Sequence, residues 1–434
     1  MKLPVIHERF TFITDNSSLC DAKTAFVKTA QNSLYEEAAR SLGAPAIVSP
    51  HECHDLLGIS SSLKIVGITG TNGKTTTAAA IYSFLLDLDK KVALQGTRGC
   101  FINNVCVEEK SLTTPPILQT LANMAEASKQ GCDYFVMEVS SHAIVQKRIE
   151  SLHFSLKIFT NISQDHLDFH GSMEAYIAAK SSFFSDESPK LINKDETKLR
   201  FNSKNCLTYG IEHPATYKVT AYSLQEGISA VIQNIETIFD VHSNLYGFFN
   251  LYNLLCAVAA VDILEKPSHE ALAEAVEGFG GVSGRMEVVS EDPTVIVDFA
   301  HTPDGMDKVL DAMKNDNLIV VFGAGGDRDK TKRPLMGKIA QRFGKRIYVT
   351  SDNPRTEDPL MIIEDICQGL HVNERVIIEP DRRKALELAI ASLEGKESLM
   401  VLGKGDETYQ EINGIKYPFD DREIVREILK RNCN

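Results

Sequence analysis

The run Gly70-Thr71-Asn72-Gly73-Lys74-Thr75-Thr76-Thr77 lies between an apolar stretch, residues 63–68, and an alanine-rich helical pattern, residues 78–88. Glycines at a strand-to-helix turn let the backbone approach an anion. Successive N–H groups and the N-terminus of the new helix point at that anion, and Lys74 can reach the outer phosphates. Thr75 would offer its hydroxyl to Mg²⁺. The full spacing G-x-x-x-x-G-K-[ST] requires glycine at position 68, where this chain has Ile68, so the loop is the shortened form G-T-N-G-K-T. Nucleoside triphosphate binding is the expectation from which the rest of the chain is read.

At 434 residues the chain exceeds one compact core, so two or three domains are expected. A net charge of −13 argues against a broad nucleic-acid surface, which would need clustered Lys and Arg, so any anionic ligand must be met by local basic groups. Nine cysteines scattered without a C-x-x-C fit a reducing compartment better than a disulfide framework or a zinc site. The charged N-terminus lacks a signal-peptide core and no run of 18 apolar residues occurs, so a cytoplasmic protein that does not span a membrane is expected.

Residues 1–60 read as a small α/β segment, with strands at 10–14, 24–27 and 46–48 around a helix at 34–42 that Gly43 would cap. From residue 64 short apolar strands alternate with longer helical stretches, the pattern of a mostly parallel sheet with helices on both faces. Strands are expected at 92–94 and 133–139. The second carries Glu138 to a sheet edge shared with Ser140, Ser141 and His142, where a carboxylate is well placed to hold Mg²⁺ near Lys74. A further strand at 156–160 leads to His166 and His170, spaced as in zinc proteases. Position 167 is leucine and not the general-base glutamate, so a zinc hydrolase is not expected, and His166 fits better as a ligand to a harder ion shared with Glu138. Lys180, among small and apolar residues on a helix, reads from its neighbours as a snorkelling side chain. Residues 190–238 read as an antiparallel β appendage. Asn250 and Asn253 open a helix running to about 264, where they could bond ATP or Asn250 could serve as an N-cap. Gly278, Gly280, Gly281 and Gly284 read as an interdomain hinge.

Beyond the hinge, strands at 295–299, 318–322, 346–350, 376–378 and 398–402 alternate with helices at 304–313, 334–343, 359–369 and 382–393, a second doubly wound sheet. Its polar strand-end loops, 298–301, 325–330, 351–355, 381–383 and 403–407, are expected to build a cleft facing the other domains. The fold class is α/β in three domains. These are a short N-terminal domain (1–60), a central P-loop domain with a parallel sheet and a β appendage (61–281), and a Rossmann-like C-terminal domain (282–434).

Taken together and in order, these motifs resemble the ATP-dependent Mur ligases of peptidoglycan synthesis, from about residue 60 to the C-terminus. The resemblance implies that Gly70, Thr71, Asn72, Gly73, Lys74, Thr75 and Thr76 bind ATP with Asn250, Asn253, Arg285 and Asp298, the last on the ribose. It implies that Thr75, Glu138 and His166 hold Mg²⁺ with Lys180 as a carbamate, replacing the snorkelling reading, and that Lys74, Lys180 and His166 serve catalysis. Ser18, Thr113, Thr114, Ser140, Gln146, Arg148 and Lys180 match positions that grip the UDP-sugar dipeptide. Asp352, Asn353, Pro354 and Arg355, with Arg328, Gly403 and Glu407, match members that select meso-diaminopimelate, whose far carboxylate an arginine fork can bind in a bidentate way. Three departures stand out: Asp406 replaces the histidine of a G-K-G-H-E stretch, the leading domain is short, and Ser17-Ser18-Leu19 replaces a D-S-R. No role of the missing histidine or arginine carries over.

The implied reaction joins meso-diaminopimelate to UDP-N-acetylmuramoyl-L-alanyl-D-glutamate through an acyl phosphate, with ATP and Mg²⁺, in a monomer with small-molecule partners, no nucleic acid and no membrane. The alternatives are a ligase for L-lysine or another amino acid, folylpolyglutamate synthase, and a P-loop nucleotide switch without ligation. The 352–355 tetrad and the leading segment disfavour the synthase, and the switch leaves the carboxylate-reading cleft unexplained.

Overall fold

The computed structural model describes residues 1–109, 112–225, 227–314 and 317–432. The described residues build three successive sheets plus a two-stranded ribbon. Strands Lys2–Pro4, Phe12–Thr14, Thr24–Val27 and Ile47–Val48 form the first sheet, antiparallel at its first pair and parallel thereafter. Helix Glu36–Ser41 ends where Gly43 takes φ +95° and donates its N–H to the Arg40 carbonyl, a left-handed stop that a Cβ would strain. Val5, Phe10, Ile13, Ala25 and Val27 join a core that continues under the central sheet through Ile117, Leu121, Phe135 and Phe159. The small segment is thus anchored by shared burial.

The central sheet has eleven strands. Its parallel block runs Tyr217–Ser223, Cys206–Gly210, Lys190–Asn193, Phe154–Phe159, Lys64–Thr69, Tyr134–Glu138 and Val92–Gly96. Antiparallel strands Ile228–Gln233 and Ile238–Ser243 extend one edge, and Gly99–Ile102 and Val105–Glu108 the other. The expected appendage is therefore only half antiparallel, because Lys190–Asn193, Cys206–Gly210 and the start of Tyr217–Ser223 pair in parallel as members of the main sheet. Helices Lys74–Asp87 and Phe248–Glu265 pack together on one face, where Ala257 to Val261 are fully buried. The second helix is apolar all round because it lies inside the core.

In the third sheet the order is Glu287–Glu291, Thr294–Asp298, Glu397–Leu402, Asn317–Phe322, Arg346–Val349 and Val376–Ile378, parallel except for the first strand. Alternate residues feed two cores. Ile296, Val320 and Phe322 meet helices Pro303–Ala312, Lys332–Phe343 and Pro359–Cys367, while Val295, Val297, Ile319 and Val321 meet Arg382–Ala391 and Asp421–Asn432. Fully buried Arg382 closes the second core. Its Nε and Nη2 donate to the two carboxylate oxygens of Asp421 at 2.8 and 2.7 Å, and Nη1 and Nη2 reach the carbonyls of Ser351 and Leu402. This corrects the expectation for loop 381–383: Arg382 points inward, Arg383 pairs with Glu427, and neither lines the cleft. Asp421→Ala would strand a buried guanidinium, so unfolding free energy should fall by about 3–5 kcal/mol. Denaturant titration of the variant checks this, and a loss below about 1 kcal/mol would contradict it.

Candidate functional site

The strand Lys64–Thr69 is buried from Ile65 onward and delivers the phosphate loop to the carboxyl edge of the central sheet. Two glycines are required there by close approach. A Cβ on Gly70 would stand 1.8 Å from Thr160 Oγ1, and one on Gly73, at φ +82°, would stand 2.3 Å from Asn253 Oδ1. Gly73 caps helix Lys74–Asp87, and the half-buried Lys74 donates through Nζ to the carbonyls of Gly70 and Thr71 at 2.9 Å each. Lys180 reaches the same Gly70 carbonyl from the other side at 2.8 Å, with its ammonium 4.8 Å from the Tyr176 ring. Burial, reinforced by the charge of Lys74, holds Lys180 well below the ordinary lysine range.

Glu138 ends the neighbouring strand and is 2 % exposed. Thr75 Oγ1 donates to its Oε2 at 3.0 Å and the Thr97 N–H to its Oε1 at 2.9 Å. His166 sits in a left-handed turn, φ +52°, with Nε2 3.3 Å from Asp165 Oδ2, and burial pushes its imidazole down, toward the neutral form that ligates metals. Thr75, Glu138 and His166 face one cavity of about 340 Å³. Their hydroxyl, carboxylate and neutral imidazole form a donor set that could hold Mg²⁺.

Four of the five C-terminal loops line that same cavity, through Phe299 and His301, Gly325 and Arg328, Asp352 with Asn353 and Arg355, and Gly403 with Glu407. Asn353 is fixed by its Nδ2 bond to Glu407 Oε2 (2.7 Å) and by Lys404 Nζ on its Oδ1 (3.2 Å). Arg355, φ +50°, is tied through its backbone to the ribbon Tyr409–Ile412 and Ile415–Pro418 and donates Nη1 to the Gly326 carbonyl at 2.7 Å. Pro354 backs this loop, its carbonyl against Gly326, outside the lining.

A second cavity, about 370 Å³, adjoins the first and shares Asn72, Gly73, Thr76 and Arg285 with it. Asn253 and Asp298 line it. Arg285 stacks over Phe299 at 4.2 Å, and Asp298 accepts the N–H groups of Met286 and Ala300 at 2.7 Å each, while burial pushes its carboxyl up. Asn250 is not the N-cap: Gly247 is, and Asn250 accepts from Asn253 Nδ2 at 3.0 Å behind the wall.

The remaining predicted residues lie outside both linings, apart from Thr113, whose hydroxyl is 3.1 Å from that of Thr97. Thr114 Oγ1 bonds Ser140, Arg148 donates to the Thr114 carbonyl at 2.7 Å and to Gln146, and Gln146 accepts from Gln31 of the N-terminal segment at 3.2 Å. Ser18 is exposed in the turn Ser17–Leu19, bonded to Asn16. Sequence reasoning missed Asp165, Lys332, Thr97 and Asp304. Asp165 and Lys332 form a buried pair joining central and C-terminal parts, and only the position of Asp165 beside His166 hinted at it.

Comparison with known proteins matches residues 68–261 to the Mur ligase middle domain and 284–405 to the Mur ligase, glutamate ligase domain. The chain is 53% identical over 429 residues to the UDP-N-acetylmuramoyl-L-alanyl-D-glutamate--2,6-diaminopimelate ligase of Wolinella succinogenes, covering 99% of this chain and 98% of that one. It is 46% identical to the enzyme of that name from Helicobacter pylori, over 97% and 96% of the two chains. A solved structure of a ligase of that name superposes with a TM-score of 0.68 at 30% identity, covering 97% of this chain and 95% of that one. A Mycobacterium tuberculosis folylpolyglutamate synthase superposes equally well, TM-score 0.68, at 17% identity over 82% and 92%, a likeness of fold.

Behind Arg328, Glu357 accepts two bonds from buried Arg333 (2.8 and 3.0 Å), the Asp327 N–H and Lys330. Those bonds, Arg333 foremost, hold its carboxyl down at about 2 against an ordinary 4.5. A depressed folded-state value gives stability that is present above the unfolded value and lost as pH falls toward the folded one. Glu357→Gln should therefore lower the melting temperature at pH 7, and the gap to wild type should close between pH 4.5 and 2. Calorimetry across that range checks it; a gap independent of pH would count against the pairing.

Proposed function

The chain belongs to the Mur ligase family and is an ATP-dependent amide ligase, and from that premise we propose that it joins meso-2,6-diaminopimelate to UDP-N-acetylmuramoyl-L-alanyl-D-glutamate in cytoplasmic peptidoglycan precursor synthesis. One observation carries the reading. The Lys74 loop and the Asn353, Arg355 and Glu407 cluster line a single cavity, so a nucleotide's outer phosphate and an amino acid with a distal carboxylate can be held within one enclosed space.

The D-glutamate side-chain carboxylate attacks the γ-phosphorus of ATP, ADP leaves, and an acyl phosphate forms. The amine of diaminopimelate then attacks the acyl carbon, loses a proton, and expels inorganic phosphate as the amide forms. Lys74 stabilises the charge that moves between the phosphoryl oxygens, since phosphoryl transfer depends chiefly on positioning and electrostatics. Thr75, Glu138, His166 and a carbamate on Lys180 would hold Mg²⁺, which supplies charge neutralisation at the β- and γ-phosphates. The ribose falls to Asp298, with Asn253 and Arg285 on the adenosine side. Ser18, Thr113, Thr114, Ser140, Gln146 and Arg148 serve the nucleotide-sugar acceptor. Arg355 and Arg328 take the distal carboxylate, and Glu407 and Asn353 its ammonium side. The working unit is a monomer with an N-terminal domain over 1–60, a central domain over 61–281 and a C-terminal domain over 282–434.

Carbamylation of Lys180 is supported by its burial beside Lys74, which shifts its amine toward the unprotonated form that attacks CO₂. Protein equilibrated with ¹³C-bicarbonate should show a carbamate resonance that Lys180→Ala lacks. An identical spectrum from both would remove the carbamate from the site.

Phosphate release with Mg²⁺, ATP and the UDP-sugar dipeptide should depend on meso-diaminopimelate and not on L-lysine, and Arg355→Ala should cut that dependence by about tenfold or more. Equal rates with lysine would overturn the specificity, and equal rates with no amino acid would overturn the substrate reading.

A further inference from the structure

Asp304 stands at the start of helix Pro303–Ala312 in the C-terminal part, yet its Oδ2 accepts from two residues of the central part. Asn72 of the phosphate loop donates through Nδ2 at 2.7 Å and Ser163 through its hydroxyl at 3.0 Å, while Lys308, one turn on, supplies the third bond at 2.9 Å. Asn72 is itself gripped by the 160–161 turn: its carbonyl accepts from Thr160 and Asn161, and its N–H donates to Asn161 Oδ1. The Ser163 N–H donates to Thr71 Oγ1 at 3.0 Å. One carboxylate thus reads both the loop that cradles phosphate and the segment leading to His166. Asn72 also belongs to the partition that the two cavities share, where a triphosphate would cross from one to the other.

We propose that Asp304 is a positioning residue for ligation: its charge-assisted bonds to Asn72 and Ser163 seat the C-terminal part on the nucleotide loop, so that the amino acid meets the acyl phosphate before water does. The proposal rests on the ligase reading above. A charged acceptor holding two donors across a seam contributes enough to bias closure by about tenfold or more. Lys308 sits on the same helix and its bond does not cross the seam, so it separates seating from local helix stability.

The test uses the full chain and counts inorganic phosphate against amide product. Asp304→Ala should lower kcat for amide formation about tenfold, change the KM for ATP by less than about threefold, and raise phosphate released per amide above one. Ser163→Ala should move the ratio the same way by less, and Lys308→Met should leave it at one. X-ray scattering with ADP and Mg²⁺ should show a larger radius of gyration for Asp304→Ala than for wild type. A ratio of one and an unchanged radius in Asp304→Ala would overturn the proposal, as would an equal rise in the ratio for Lys308→Met. If wild type releases no phosphate with any amino acid, the ligase reading fails separately and the scattering comparison alone decides the role of Asp304.

Discussion

Two lysine amines share one carbonyl. Lys74 and Lys180 both donate to the Gly70 oxygen, Lys180 fully buried and Lys74 half-buried. Two ammonium ions cannot sit this close in a dry site without compensation, and the nearby carboxylates, Glu138 and Asp165, are each engaged by hydroxyl, backbone or lysine donors. Burial lowers the proton affinity of both amines, and at Lys180 the charge of Lys74 adds to it. That arrangement exists only because residue 70 has no side chain: a Cβ would collide with Thr160 and push the carbonyl away from both nitrogens.

Parallel sheets place their strand-end loops on one edge, and here two such edges face each other. The central sheet offers the phosphate loop, Glu138 and His166, and the C-terminal sheet offers Arg328, Asn353, Arg355 and Glu407. Neither edge could enclose a cavity alone. The seam between them is closed by polar bonds, Asp165 with Lys332 and Asn72 with Asp304, which suits an interface that must part for substrates. Apolar contact across that seam is slight, Phe249 against the C-terminal core, whereas the N-terminal segment and the central sheet share one apolar core.

Much of this was legible because strands in a doubly wound sheet are short, apolar and punctuated. Thr24–Val27 and Val376–Ile378 have the bounds read from sequence, the other expected C-terminal strands differ by a residue or so at each end, and Glu287–Glu291, Tyr409–Ile412 and Ile415–Pro418 were not read. Element order and the motifs at strand ends survive because both are local. The strands of 190–223 misled because pairing partners are not local: Lys190–Asn193 and Cys206–Gly210 are short enough to look like an appendage, yet their neighbours lie across the sheet. Polar residues misled in a second way. Arg382 and Asn250 have the composition of a site, but the direction of a side chain is set by tertiary packing, and both face inward to satisfy buried partners. Lys180 misled in the opposite sense, since its apolar neighbours suggested a wet ammonium and the fold gives it a dry carbonyl.

Asp406 shows how one departure from a family pattern is absorbed. It lies beside Glu407, its carboxylate 3.6 Å from the Arg98 guanidinium of the central part, and Arg98 follows Thr97, whose N–H holds Glu138. A histidine there could offer Arg98 only a neutral or a like-charged ring, whereas the carboxylate is opposite in sign to the guanidinium. With both side chains partly open to water the pair contributes little to stability, on the order of 1 kcal/mol or less. Its effect is on geometry: it gives the 403–407 loop a charged neighbour in the central part, as the buried Asp165 and Lys332 pair does for helix Lys332–Phe343. The amino-acid side and the nucleotide side are thus held to one another by charge at both depths of the interface, buried and exposed.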